Sequence, residues 1–253
     1  VDISRHADGS VVRLEIDVPK GNILDRDVIE ILLDQVIRAE ADPDVSLVTI
    51  EGTGKNFSFG ASVEEHLPEE IHRTLPVLHR LVLEIASSRV PVAALVRGRC
   101  LGGAFEVALA CHLVFAAPDA RFALPEIRLG VFPPAGCSLL PARIGQSIAD
   151  RMVMTGDELD ATALTPSGFV TELCSDDDLF PHVLDWHRRK LAPLSVASLR
   201  FATVASRHGF LHHLRRDLVA LEQNYLRNLA PTEDAIEGIR AFIEKRDPVW
   251  RNR

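Results

Sequence analysis

The sequence predicts an α/β fold followed by a helical C-terminal part. Three observations carry that expectation. Apolar, β-branched runs of strand length recur at residues 11–16, 45–50, 90–96 and 113–117. Segments with apolar residues at helical period lie between them. Beyond about residue 175 only the helical period continues. Near-continuous apolar strands separated by helices imply sheets covered on both faces.

The elements follow in order. Residues 11–16 mix alternation with β-branched side chains and read as a strand. In 27–41 the spacing of Val28, Ile29, Ile31, Leu32, Val36 and Ile37 is helical. Residues 45–50 form a buried strand that ends at Gly52-Thr53-Gly54. Residues 64–87 are mostly helical, with Pro68 and Pro76 expected to start or interrupt its pieces. The next strand, 90–96, carries Pro91 near its start, where a strand tolerates proline. Gly98 opens a turn, 102–110 continues as helix, and 113–117 is another short strand. The tail is helical over 179–191, 196–207, 211–229 and 232–245, with Thr232 capping the last helix ahead of Glu233 and Asp234. Leu211, Leu214, Leu218 and Leu221 make one apolar stripe. The expected division is an α/β body over 1–190 and a helical part over 191–253 that covers the site and joins subunits.

Composition narrows the function. Of 253 residues 47% are apolar and 25% charged, ordinary for a globular chain. Lys and Arg number 28 against 36 Asp and Glu, a net charge of −8 with the ten histidines neutral. That acidity opposes nucleic-acid binding. Cys100, Cys111, Cys137 and Cys174 form no C-x-x-C pair and read as scattered reduced thiols. No apolar run reaches the ~18 residues of a membrane span. Val1-Asp2-Ile3-Ser4 shows no basic-then-apolar leader, so a cytoplasmic location is expected. The histidines are dispersed and include no H-E-x-x-H, so no metal site is expected. Cys137 has no histidine near it in sequence to activate it as a nucleophile.

Two glycine-bearing loops follow strands. The first runs Lys55-Asn56-Phe57-Ser58-Phe59-Gly60-Ala61-Ser62, and a helix near Glu64 would add its N-terminal dipole. The second, Gly98-Arg99-Cys100-Leu101-Gly102-Gly103-Ala104, enters a helix. Together two such loops can aim one backbone N–H each at a single oxygen, the geometry of an oxyanion hole. Neither G-x-G-x-x-G nor G-K-[ST] is present, which removes dinucleotide and phosphate-loop readings.

Glu106 stands one turn into the second loop's helix among Ala104, Phe105, Val107, Ala108 and Leu109. Glu126 follows twenty positions later in Ala123-Leu124-Pro125-Glu126-Ile127. A glutamate buried in such company needs a partner or a task. Two carboxyls held close share one proton, which suits the addition of water: one removes a water proton, the other donates to carbon. The structural alternative is an ion pair with Arg99, Arg121 or Arg128.

The order of residues 55–62, Gly98 to Glu106, and Pro125-Glu126 with Gly130 and Pro133 resembles the enoyl-CoA hydratase/isomerase (crotonase) superfamily. Thr155-Gly156-Asp157, residues 167–170 and the closing segment 237–246 resemble it as well, so the likeness spans nearly the whole chain. The resemblance implies a crotonase-like superhelix of stacked β-β-α turns in a homotrimer or dimer of trimers. Ala61 and Gly103 would be its oxyanion donors, and Glu106 and Glu126 both catalytic carboxylates. The CoA part of an acyl-CoA thioester would run along Lys20, Ile23 and Leu24, then Ser58, Phe59 and Gly60. Val63, Leu101, Gly102 and Pro134 would be further substrate-binding positions. Lys55 and Lys245 are candidates for the CoA phosphates. No cofactor is implied beyond coenzyme A, which belongs to the substrate.

Two departures stand out. Ser62 replaces the family's usual aspartate, keeping an oxygen able to cap a helix. After Pro133 the usual Gly-Ala-Gly-Gly becomes Pro134-Ala135-Gly136-Cys137. Pro134 has no N–H, so the water expected there must be held by the glutamates and something else. With residues 58–66, the double proline most resembles the cyclohexa-1,5-diene-1-carbonyl-CoA hydratases of aromatic degradation. The rival expectations are an ordinary enoyl-CoA hydratase, another reaction on the same oxyanion hole such as isomerisation or C–C hydrolysis, and a non-enzymatic RNA-binding oligomer.

Overall fold

A computed structural model describes residues 1–175 and 179–253. The chain opens with the hairpin of β1 (Asp2–His6) and β2 (Val11–Ile16) and continues through α1 (Arg26–Ala41) to β3 (Leu47–Gly52). Helix α1 starts where the Asp25 side chain accepts the Val28 N–H. Next come α2 (Ile71–Ser87), β4 (Val92–Val96), β5 (Arg99–Leu101), α3 (Gly103–Ala110), β6 (Leu113–Ala116) and β7 (Arg121–Ala123). A short 3-10 turn, Pro125–Leu129, leads to α4 (Pro134–Ile144), α5 (Gln146–Thr155), β8 (Glu158–Asp160), α6 (Ala161–Leu164) and β9 (Glu172–Leu173). The tail holds α7 (Leu179–Lys190), α8 (Val196–Ser206), α9 (His208–Asn224), a π-helical turn at Tyr225–Leu229, and α10 (Glu233–Glu244), capped by Thr232 as expected.

The strands form two sheets. In the larger the order is β1-β2-β3-β4-β6-β9, with only β1 antiparallel to its neighbour. The smaller sheet has the order β5-β7-β8, with β5 and β7 parallel. The chain therefore passes from one sheet to the other and back through a helix, twice: β4 to β5, then β6 to β7. This is the β-β-α superhelix anticipated from the sequence.

Strands β3 and β4 are buried along their whole length, as their continuous apolar sequence requires. The main core joins Leu14, Ile50, Val82, Phe105 and Leu139 with Leu211, Leu214 and Leu218 of the leucine stripe. The helical tail thus packs on the α/β body through α9. A second apolar cluster gathers Ile71, Leu75, Val131, Tyr225 and Ile239, bringing the π-helical turn and α10 against α2.

Several expectations are corrected. Pro76 lies inside α2 without ending it, so the helix forgoes one hydrogen bond and runs on. The helix near Glu64 is a three-residue 3-10 turn, Glu64–His66, too short to supply a dipole. Ser62 caps nothing: its hydroxyl donates to Glu64 at 3.2 Å.

Candidate active site

The smaller sheet assembles the site. Pairing of Leu101 with Ala123 and the bond from Gly102 N–H to Ala123 O at 2.9 Å lay the 123–126 segment beside the second glycine loop. A methyl placed on Gly102 would lie 3.1 Å from Glu126 Oε1. The twenty-residue return inferred from the sequence is thus the end of α3, strand β6, a turn and β7, which runs parallel to β5.

Both loops converge at their amides. Leu24 N–H donates to Gly60 O at 2.9 Å, and Ser62 N–H to Leu24 O at 3.2 Å. Ala61 lies between those two bonds, so its own N–H faces away from Leu24. A methyl on Gly103 would stand 3.5 Å from Ala61 N. Gly103 is the first residue of α3, where an N–H has no intrahelical acceptor. Among the described residues neither amide is engaged. Gly60 makes the approach feasible: its φ is +104°, and a side chain there would meet Leu101 O at 2.7 Å.

The segments expected along the CoA moiety are laced together. Phe59 N–H donates to Gly21 O at 2.9 Å, and the half-exposed Phe59 ring lies over Gly21. Asn22 ties them further, donating to Thr53 O and Asn56 O at 2.9 and 3.0 Å. Lys20 is exposed on this segment and Ile23 partly so. Leu24 and Ser58 are fully buried, and the Ser58 hydroxyl accepts the Gly60 N–H, so contacts from these two run through backbone. Val63 and Leu101 are half-buried around the amides. Lys55 is exposed in the turn after β3. Lys245 is exposed at the C-terminal end of α10, and no described hydrogen bond or ion pair ties it to either loop.

Glu106 is buried on α3, and its Oε1 accepts the Gly136 N–H at 2.6 Å. The neighbouring Ala135 N–H also favours the ionised form of this carboxyl. Burial pushes the Glu106 pKa up, while His79 and these two amides restrain the rise. Glu126 is raised well above the usual carboxylate range, first by burial and then by the Glu106 charge. The ion-pair alternative fails. Arg99 approaches Glu158, Arg121 pairs with Asp160, and Arg128 donates to Gly156 O. With no arginine beside them, the charge of Glu106 disfavours ionisation of Glu126, so the pair favours keeping one proton.

The double proline takes on a different meaning. Pro134 is buried at the first position of α4, where its missing N–H costs nothing, and the next two amides point at Glu106. Cys137, one position further, is pushed up to about 12 by burial and both carboxylates, so it stays a thiol.

Two polar groups at this site escaped the sequence reading. His79 lies on the buried face of α2, with Nδ1 2.6 Å from Glu222 Oε2. The Tyr225 hydroxyl is pushed up by burial and then by Glu126 and Glu106. Signals existed for both: His79 interrupts an apolar helical face, and Tyr225 is the chain's sole tyrosine.

The profile of the Enoyl-CoA hydratase/isomerase family matches residues 6–253. Cyclohexa-1,5-dienecarbonyl-CoA hydratase of Thauera aromatica is 42% identical over 246 residues, 97% of this chain and 95% of that protein. Carnitinyl-CoA dehydratase of Citrobacter koseri is 32% identical, covering 99% and 97%. Among solved structures, an enoyl-CoA hydratase from Mycobacterium avium subsp. paratuberculosis aligns with a TM-score of 0.87 at 29% identity, over 99% of this chain and 98% of that one.

Proposed function

The chain belongs to the enoyl-CoA hydratase/isomerase family, and on that premise we propose that it adds water to a conjugated cyclic dienoyl-CoA thioester such as cyclohexa-1,5-diene-1-carbonyl-CoA. It is an acyl-CoA hydratase, a carbon–oxygen lyase. The observation that carries the mechanism is the pair Glu106 and Glu126, buried without an arginine or lysine partner, the charge of one raising the pKa of the other, beside two unengaged amides.

The roles follow from their surroundings. Glu106 accepts the Gly136 amide at a helix N-terminus, which favours its ionised form, so it is the base. Glu126, raised further and lacking such donors on Oε2, keeps the proton and is the acid. As the water oxygen bonds to one carbon of the conjugated system, its proton passes to Glu106. Glu126 delivers its proton to the other carbon of the hydrated double bond. Negative charge that conjugation sends to the thioester oxygen is met by the Ala61 and Gly103 amides. These steps call for no coenzyme other than the CoA carried by the substrate, whose chain would lie along Lys20–Leu24 and Ser58–Gly60. Lys55 and Lys245 remain the side chains proposed for its phosphates.

Assembly into a trimer or dimer of trimers is part of this reading. Phe201 on α8 is 81% exposed, Val219 on α9 56% and Phe242 on α10 57%, apolar surface that a neighbouring copy would cover. No helix among the described residues is long and apolar enough to cross a membrane, which fits the cytoplasmic setting proposed.

The test is a mass-spectrometric screen of linear and cyclic enoyl- and dienoyl-CoA substrates. The expected product gains the mass of one water and arises fastest from a cyclic diene. Rapid hydration of crotonyl-CoA without turnover of any cyclic diene would reject the substrate. A product isomeric with its substrate would reject the reaction. Glu106→Gln and Glu126→Gln should each lower kcat by ~10²–10⁴.

A further inference from the structure

Three polar side-chain atoms at this site are buried and lack a hydrogen-bond partner: Glu126 Oε2, His79 Nε2 and the Tyr225 hydroxyl. Each such atom costs about 1–3 kcal/mol if left unsatisfied. Their placement is specific. Leu78, the neighbour of His79, comes within 3.0 Å of where a Gly103 side chain would begin. Helix α2 therefore passes the start of α3 at the level of His79, about one turn from Glu106. Tyr225 packs with Leu75, one turn before His79 on α2, and with Val131, whose N–H donates to Glu126 O at 3.2 Å.

Glu222 and Tyr225 are three residues apart where α9 passes into a π-helical turn. Their i, i+3 spacing puts both side chains on one face, at the edge of a π turn of a kind common at working sites. The Glu222 carboxylate can only accept, so the His79 Nδ1 carries the hydrogen of their 2.6 Å bond. The bond fixes the ring and leaves Nε2 as its free end. Both glutamates act on the Tyr225 hydroxyl, which places it beside them.

We propose that His79 and Tyr225 form a polar wall that holds the attacking water against the two glutamates, with Glu222 acting only through His79. The inference rests on the hydratase reading above and supplies what Pro134 cannot. A buried water makes about three hydrogen bonds. Here His79 Nε2, the Tyr225 hydroxyl and the Glu106 carboxylate provide three, leaving one water lone pair for carbon. Glu222 touches neither water nor substrate and is a positioning residue.

The experiment compares Tyr225→Phe, His79→Gln, Glu222→Gln and the double variant His79→Gln/Glu222→Gln on the thioester that the wild type hydrates. Tyr225→Phe keeps the ring and its packing, so it reads the hydroxyl alone. Expected are a kcat lowered ~10–10²-fold in Tyr225→Phe and His79→Gln and a KM within about threefold of wild type. The double variant should be no slower than His79→Gln, because Glu222 has nothing else to act on. Wild-type kcat in both Tyr225→Phe and His79→Gln overturns the wall and leaves the hydratase reading standing. Additive losses in the double variant overturn the role of Glu222. If the wild type hydrates no thioester, that reading fails, and a high-resolution crystal structure decides the wall. A water within hydrogen-bonding distance of His79 Nε2, Tyr225 and a glutamate supports it, and an apolar contact there overturns it.

Discussion

The backbone N–H of Gly136 donates to Oε1 of Glu106 at 2.6 Å, joining the start of α4 to the middle of α3. A helix N-terminus thereby faces a buried carboxylate, the favourable sign for its partial positive charge. Burial still prevails, since the Glu106 pKa is raised, but the amides keep the residue close enough to ionisation to serve as a base.

Removing that bond should move the pH profile. A methyl at Gly136 would meet Leu124 Cδ1 at 2.7 Å and Pro133 Cβ at 3.1 Å, displacing the amide. Losing a donor to the ionised form raises the Glu106 pKa further. In Gly136→Ala the acidic limb of kcat against pH is expected at higher pH than in wild type. A pH–rate profile checks the direction.

Glu126 sets a pH-dependent stability. Its folded pKa lies well above the ordinary value of 4.5, so between the two the native state binds more protons than the unfolded chain. Stability from this group is full below 4.5 and is lost as pH rises toward the folded value. Glu126→Gln removes the loss. The variant should match wild type near pH 4.5 and exceed it increasingly as pH rises, read by urea denaturation across that range. A difference independent of pH would contradict the assignment.

Gly60→Ala should damage catalysis more than folding. The residue holds φ at +104°, and its new side chain would press on Leu101 O at 2.7 Å. Relief moves the Ala61 amide from its position beside Gly103. Loss of one oxyanion donor typically costs ~10²–10³ in kcat. Steady-state kinetics with a chromatographic check of the folded state would measure it.

Arg207 closes the far end of α3. Its guanidinium donates to Ala110 O and Cys111 O at 2.5 Å, and Arg143 donates to Cys111 O as well. These bonds satisfy carbonyls the helix leaves open and oppose its negative end. Arg207→Met keeps much of the packing and loses both donors. It is expected to lower unfolding stability by about 2 kcal/mol, measured in chemical denaturation.

Legibility differed between elements for physical reasons. Strands β2 and β4 and helices α1, α9 and α10 carry their periods over five residues or more, and these could be read directly. Strands β5, β7, β8 and β9 are two or three residues long and have no period to detect. Helices α4 and α5 carry weaker signals, since prolines at 134 and 141 interrupt the first and only Ala149 and Met152 of the second are buried. Glu106 and Glu126 stood out since charge amid apolar residues is costly anywhere. His79 and Glu222 did not: they are 143 positions apart, and neither pattern alone points to the other.

The sequence by itself determined the α/β alternation, the two loops able to expose an amide, and the pair of acids that such a chain would not bury idly. These are local properties, set by side-chain period and by the conformations each residue tolerates. The tertiary structure decided the rest: that β5 and β7 run side by side and bring Glu126 to Gly102, that Pro134 begins a helix aimed at Glu106, and that α9 carries Glu222 to His79. Such contacts depend on how whole faces pack, and packing is a property of shape summed over distant segments that no single stretch of chain encodes.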